Sequence, residues 1–207
     1  MNSSKPTDGI ISRHINRKVS IRISKILLKT GITPNHVSII TFIIALSAAF
    51  MFLRGNIILG GILTQLTSII DGVDGEIARM KNMQTKFGAY FDSILDRYAD
   101  ALILSSITIF LYLNKNDFII ILVGLFALMG SPMSMLGREK FKALTGKEYS
   151  FDNEGILKYI PMTRDFRLFI IFLFSLINRV YYSLIIIAVL TNLKTILRLF
   201  IVKRELR

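Results

Sequence analysis

The feature that most constrains this chain is a succession of apolar runs, each near the length needed to cross a bilayer. A spanning helix needs about 20 apolar residues, because each rises ~1.5 Å through a hydrocarbon core of ~30 Å. His36–Leu53 meets that length directly. Asn56–Ile70 meets it only if its helix continues into the polar residues that follow. Phe91–Leu113 and Phe118–Leu136 come next. After a long polar stretch the apolar sequence resumes at Phe166 and runs to Val202, broken at Asn178-Arg179. With 52% hydrophobic residues and a mean hydropathy of +0.54, the 207-residue chain is too apolar for a soluble domain of its size.

Basic residues settle the count of spans through the positive-inside rule. With an inner N-terminus and six spans, Lys/Arg gather on one face: before the first span, at Arg79, Lys81 and Lys86, between Arg138 and Arg167, and from Lys194 onward. Only Arg54, Lys115 and Arg179 fall outside, and Arg97 lies within a span. Five spans would expose the C-terminal cluster on the wrong side. The fold expected is therefore an all-α integral membrane protein of six transmembrane helices, with its N-terminus facing the cytoplasm. The fifth span, near Arg164–Asn178, is short for a bilayer. A net charge of +12 would also suit nucleic acid. Here the charges alternate with apolar runs, so a membrane surface is the expected anionic partner and nucleic acid is not.

Residues 1–35 read as a juxtamembrane segment and residues 36–207 as the transmembrane domain. Ile11, Ile15, Val19, Ile23 and Ile26 recur at near-helical spacing among Arg13, Arg17, Lys18, Arg22 and Lys25. That pattern suits an amphipathic helix in the inner interface, the alternative being a basic linker. Thr33-Pro34-Asn35 supplies a turn and helix start. Met1–Gly9 is polar and has no apolar stretch of a secretory leader. The sequence has no cysteine, which excludes disulfides and thiolate chemistry. His14 and His36 stand alone at helix ends and read as interfacial residues.

Six carboxylates crowd between Asp71 and Asp100, at the end of the second apolar run and inside the third. A carboxylate at membrane depth costs roughly 2–3 kcal/mol, so the cluster needs compensation. Asp71 and Asp74 share one helix face, as do Asp92 and Asp96. Facing each other, they would form a hard oxygen site for Mg²⁺, Mn²⁺ or Ca²⁺. Gly75 and Gly88 each cost about 1 kcal/mol in a helix, which close ligand approach or tight helix packing would explain. Arg79, one turn beyond Gly75, is suited to phosphate oxygens. Asp100 is expected to pair with Arg97 along its own helix. A cation transporter would want its acids at the bilayer midplane and repeated halves, whereas these lie near the inner helix ends.

The full string, Asp71-x-x-Asp74-Gly75-x-x-Ala78-Arg79, eight residues, then Gly88-x-x-x-Asp92-x-x-x-Asp96, resembles the CDP-alcohol phosphotransferase pattern at all eight fixed positions. The resemblance extends over about Lys5 to Phe200 and agrees with six spans. It implies transfer of a phosphoalcohol group from a CDP-alcohol to an acceptor alcohol with release of CMP. It further implies two divalent ions, Mg²⁺ or Mn²⁺, held by Asp71, Asp74 and Asp92 with Asp96 nearby, and Asp96 as general base. Gly75, Ala78, Arg79, Thr85 and Gly88 would bind the nucleotide, with Pro34 and Asn35 close by. Arg138, Arg164 and Arg167 would bind a phosphorylated acceptor, the alternative being ordinary anchoring at the inner face. A homodimer in the cell membrane with a cytoplasmic active site is implied as well.

Two stretches, Lys5–Ser20 and Thr163–Leu168, resemble the transferase portion of bifunctional enzymes that join CDP-inositol to inositol phosphate, giving di-myo-inositol phosphate phosphate. The soluble cytidylyltransferase portion of those enzymes has no counterpart here, so the chain is either a fragment or a stand-alone relative working with one. A phospholipid synthase with a CDP-lipid donor is the competing expectation, because the aspartate motif reads only the CDP end that both donors share.

Overall fold

The computed structural model describes residue 9, residues 11–146 and residues 162–205. Lys5–Asp8, Ile10, Lys147, Lys158 and Arg207, all used in the sequence reading, lie outside them. The described residues form helices and no strand. A π-helical turn, Ser12–Asn16, runs into α1 (Arg17–Leu27). Then follow α2 (Pro34–Leu53), α3 (Ile57–Met80), α4 (Lys86–Lys115), α5 (Phe118–Thr145), α6 (Arg164–Leu176) and α7 (Val180–Glu205).

Local chemistry explains the boundaries. Thr33 caps α2, with Pro34 in the first helical turn and His36 completing a reciprocal capping box. Asn56, Thr85 and Asp117 accept first-turn backbone N–H groups of α3, α4 and α5. Asn82, Asn116 and Asn178 take left-handed backbone angles where α3, α4 and α6 end, a conformation asparagine tolerates better than most residues. The break expected at Asn178-Arg179 therefore separates two helices.

Four of the described helices, α2, α3, α5 and α7, are long and apolar enough to cross a membrane. The other two expected spans depart for physical reasons. α4 has the length, but Asp92, Asp96, Arg97 and Asp100 interrupt its apolar character. α6 has 13 residues, a rise of ~20 Å against a core of ~30 Å. α3 continues unbroken from the apolar run through the acidic motif, as its spanning length requires.

The main core joins Ala45, Ala48 and Phe52 of α2 to Ile103 and Ile107 of α4, Leu168 and Ile171 of α6, and Leu184 and Ile187 of α7. A smaller cluster, Val37, Val73 and Ile77, seats α3 on α2 with Ile23 and Leu27 of α1 alongside. Both α3 and α4 pack along α2, yet they barely touch each other. α6 packs on α3 as well. A cleft thus opens between the two acid-bearing helices.

Candidate active site

Asp71 and Asp74 occupy the last part of α3, and Asp92 and Asp96 the first part of α4. Because both helices splay from α2, the two pairs face each other across the cleft. One carboxylate oxygen each from Asp71, Asp92 and Asp96 lies within 4.8 Å of the others. Asp74 stands beside them, accepting a 3.1 Å hydrogen bond from Ser38 Oγ of α2 at Oδ2 and the Gly75 N–H at Oδ1. Ser38 had not been singled out. Its position one turn after Pro34, on the helix both acidic helices share, was the available signal.

Converging carboxylates repel unless a cation lies among them, and here Arg164 does so. Its Nη1 is 2.8 Å from Asp71 Oδ1 and 3.0 Å from Asp96 Oδ1, and its Nε donates to Asp100 Oδ1 at 3.0 Å. The Asp71 contact is an ion pair without hydrogen-bond geometry: Asp71 Oδ1 is buried and accepts no hydrogen bond among the described residues. Arg167 Nη2 donates to Asp100 Oδ2 at 2.7 Å. The expected Asp100–Arg97 pair is thereby corrected. Asp100 turns inward to α6, while Arg97 reaches Glu139 of α5 and Ser93 of its own helix. Two guanidinium groups in the bundle interior outcompete one partner on the same helix surface, because burial leaves them no water to fall back on.

Two cavities flank the cluster. The larger, about 500 Å³, falls in the ordinary range for a small-molecule site. Pro34, Asn35, Gly75, Ala78, Arg79, Thr85 and Gly88 all line it, together with Asp74 and Asp92. A Cβ on Gly88 would sit 3.0 Å from Thr85 Oγ1 and 3.2 Å from Asn35 Oδ1, so any side chain there crowds this wall. The smaller cavity, about 160 Å³, is lined by Asp71, Arg164, Asp165, Ser12 and Arg17. Arg79 borders both cavities, and its Nη2, like Arg164 Nη2, is buried without a hydrogen-bond partner among the described residues. Guanidinium groups that border a cavity and are not fully satisfied by the protein suit an anionic ligand.

Not every expected residue reaches these cavities. Arg167 is 2% exposed and stands behind Asp100. Arg138, partly buried on α5, borders neither cavity. Lys194 and Arg198 of α7, among the inner-face charges, are buried. Glu76, in the acidic motif itself, points away from the cleft and is satisfied by Arg17, Ser20 and Ser24.

Residues 31–197 match the CDP-alcohol phosphatidyltransferase family. The bifunctional IPC transferase and DIPP synthase of Thermococcus kodakarensis is 37% identical over 96% of this chain and 45% of its own length. The chain thus spans less than half of that relative. The archaetidylinositol phosphate synthase of Pyrococcus horikoshii is 34% identical over 89% of this chain and 91% of its own. The crystal structure of Mycobacterium tuberculosis phosphatidylinositol phosphate synthase with CDP-DAG bound has the same fold, with a TM-score of 0.74 at 20% identity. That comparison covers 89% of this chain and 94% of that one. The same synthase has been crystallised with manganese and citrate. The match over most of the chain, falling on the helices that carry the aspartate cleft, makes this protein a member of the CDP-alcohol phosphatidyltransferase family and an enzyme of the CDP-alcohol phosphotransferase class.

Proposed function

We propose that this protein transfers a phosphoinositol group from CDP-inositol to inositol phosphate, releasing CMP and giving di-myo-inositol phosphate phosphate. The observation that carries the reading is the convergence of Asp71, Asp92 and Asp96 between a nucleotide-sized cavity and a small polar one that Arg17, Arg79 and Arg164 border. The donor set is entirely carboxylate oxygen, and the lodging of Arg164 among it supports a site built for positive charge. Asp71, Asp74, Asp92 and Asp96 would hold two Mg²⁺ or Mn²⁺ ions. Such ions, when bound, neutralise the donor pyrophosphate and the departing CMP.

The chain's own groups account for the remaining steps. Arg79 holds pyrophosphate oxygens from the wall it shares between the cavities. Gly75, Ala78 and Gly88 keep the larger cavity open for cytidine, and Thr85 fixes that wall by capping α4. Asp96 takes the proton of the acceptor hydroxyl. The acceptor oxygen bonds to the phosphorus on the alcohol side, and the P–O bond to CMP breaks. Arg164 binds the acceptor phosphate in the smaller cavity, and Arg167 acts behind it through Asp100. Arg138 is assigned to the acceptor by resemblance, although it borders neither cavity.

We assign α4 and α6 as the third and fifth spans, the first shielding its charges in the cleft and the second shortened near its end. Ile15, Val19 and Ile26 are exposed on the N-terminal helix, which supports its lying in the cytoplasmic interface. One observation favours a phospholipid synthase instead: the Pyrococcus relative matches this chain almost end to end. The deciding assay gives purified protein either CDP-inositol or a CDP-lipid, each with inositol phosphate and Mg²⁺, and follows CMP. Release with CDP-inositol is expected. Release with the lipid donor alone would reassign the substrate and leave the family standing.

A further inference from the structure

The N-terminal helix docks in an unusual sense. Its most buried side chains against α3 are polar, Asn16, Arg17, Ser20 and Ser24, with Ile23 and Leu27 packed beside them, whereas Ile15, Val19 and Ile26 face outward. Against lipid, apolar side chains supply no drive for helices to associate, so hydrogen bonds have to hold such a seam. The partners lie along one face of α3. Gln65 Nε2 donates to Asn16 Oδ1 and Asn16 Nδ2 to Ser68 Oγ, each at 2.9 Å. Arg17 Nη1 reaches the Gly72 carbonyl at 3.3 Å. Glu76, 1% exposed, receives the most: Arg17 Nη1 at 2.7 Å and Ser20 Oγ at 2.7 Å on Oε1, and Ser24 Oγ at 2.5 Å on Oε2.

We propose that Glu76 is a positioning residue that staples the N-terminal helix across α3 and so sets the wall of the small cavity beside Asp71. The geometry ties the two ends of the segment together. Ser12 and Arg17 line that cavity with Asp71 and Arg164. At the other end, the Ser12 N–H donates to Asp165 Oδ2 at 2.7 Å, on the first turn of α6 next to Arg164. The segment therefore bridges α3 and α6, the helices that bring Asp71 and Arg164 together. A slip of one residue in either direction would put Val19 or Ile21 where Ser20 now donates to Glu76, so the observed register is the one that satisfies this carboxylate through all three partners. Its effect falls first on the small cavity, because the N-terminal helix lends no residue to the larger one, whose walls are α2, the end of α3, the start of α4 and their connection.

The functional side of this inference rests on placing the acceptor in the small cavity, so its test has an arm independent of turnover. The Cβ of Ser20 lies 3.7 Å from a Cβ built on Gly72, within the ~3.5–4.5 Å spacing of a disulfide. In this cysteine-free sequence, Ser20→Cys with Gly72→Cys should oxidise readily while Glu76 is present and more slowly once Glu76→Gln is added. Equal oxidation rates would overturn the staple whatever the activity. In turnover, Glu76→Gln should raise the acceptor KM about tenfold, the scale of lost outer-sphere support, while the donor KM moves far less. Oxidising the cysteine pair in the Glu76→Gln background should bring the acceptor KM back down, and reduction should raise it again. Donor and acceptor KM rising together, or no recovery on oxidation, would also overturn it. Absence of CMP release by the unaltered protein would instead count against the proposed reaction, leaving the oxidation arm to judge Glu76.

Discussion

Asp100→Ala removes the carboxylate that receives both arginines of α6. Arg164 keeps Asp71 and Asp96 within 2.8 and 3.0 Å. Arg167 keeps much less: the Met162 carbonyl at 3.4 Å and the Met135 sulfur at 3.7 Å. At 2% exposure it has almost no access to water. Breaking a buried pair and stranding one charge costs ~3–5 kcal/mol, so Asp100→Ala should destabilise the protein by about that much. Arg167→Met strands less, since Asp100 still has Arg164 at 3.0 Å, and should cost ~1.5–3 kcal/mol, the worth of one charge-assisted bond. The double variant should cost clearly less than the sum, with a coupling of about 1–3 kcal/mol. Denaturant unfolding of the four proteins in the same detergent measures each term. Additivity within ~0.5 kcal/mol would refute the view that Asp100 and Arg167 act as one unit.

The remaining predictions bear on ligands and topology. Asp71→Asn and Asp92→Asn should each weaken Mn²⁺ binding by at least about tenfold, ~1.4 kcal/mol, read from the free-ion resonance signal; unchanged binding would place the metal elsewhere. Gly88→Val should lower CMP affinity, since a packing clash costs ~1–3 kcal/mol, and leave Mn²⁺ binding nearly intact; equal CMP affinity would remove α4's first turn from the nucleotide site. A cysteine placed at Lys81 should react with an impermeant thiol reagent from the cytoplasmic side of oriented vesicles; reaction from the other side alone would invert the topology.

The acid quartet was legible because its spacing obeys helix geometry at both ends and the helices that carry it are long. Asp71, Asp92 and Asp96 meet where that spacing suggests. Gly75, Ala78, Arg79 and Gly88, which the family resemblance assigns to the nucleotide, line one cavity from turns of the same two helices. What escaped was the choice of partners across the fold. Asp100 had an arginine three residues away, and nothing local says that Arg164 and Arg167, more than sixty positions on, approach it more closely. Arg17 belongs by pattern to the basic side of an amphipathic helix, yet it joins Ser20 and Ser24 in the buried seam. Hydropathy assumes that polar residues seek water, and it reverses wherever lipid lies outside and a carboxylate inside.

The central claim is that the carboxylate cleft transfers a phosphoalcohol group from a CDP-alcohol, with Asp96 taking the acceptor proton. Its most direct test follows CMP release from CDP-inositol and inositol phosphate in Mg²⁺, comparing the unaltered protein with Asp96→Asn, while CMP binding is measured separately. The account predicts that Asp96→Asn lowers turnover by at least 10²-fold, the usual contribution of a positioned general base, with CMP affinity within about threefold of the unaltered protein. Near-normal turnover by a purified Asp96→Asn protein would contradict it.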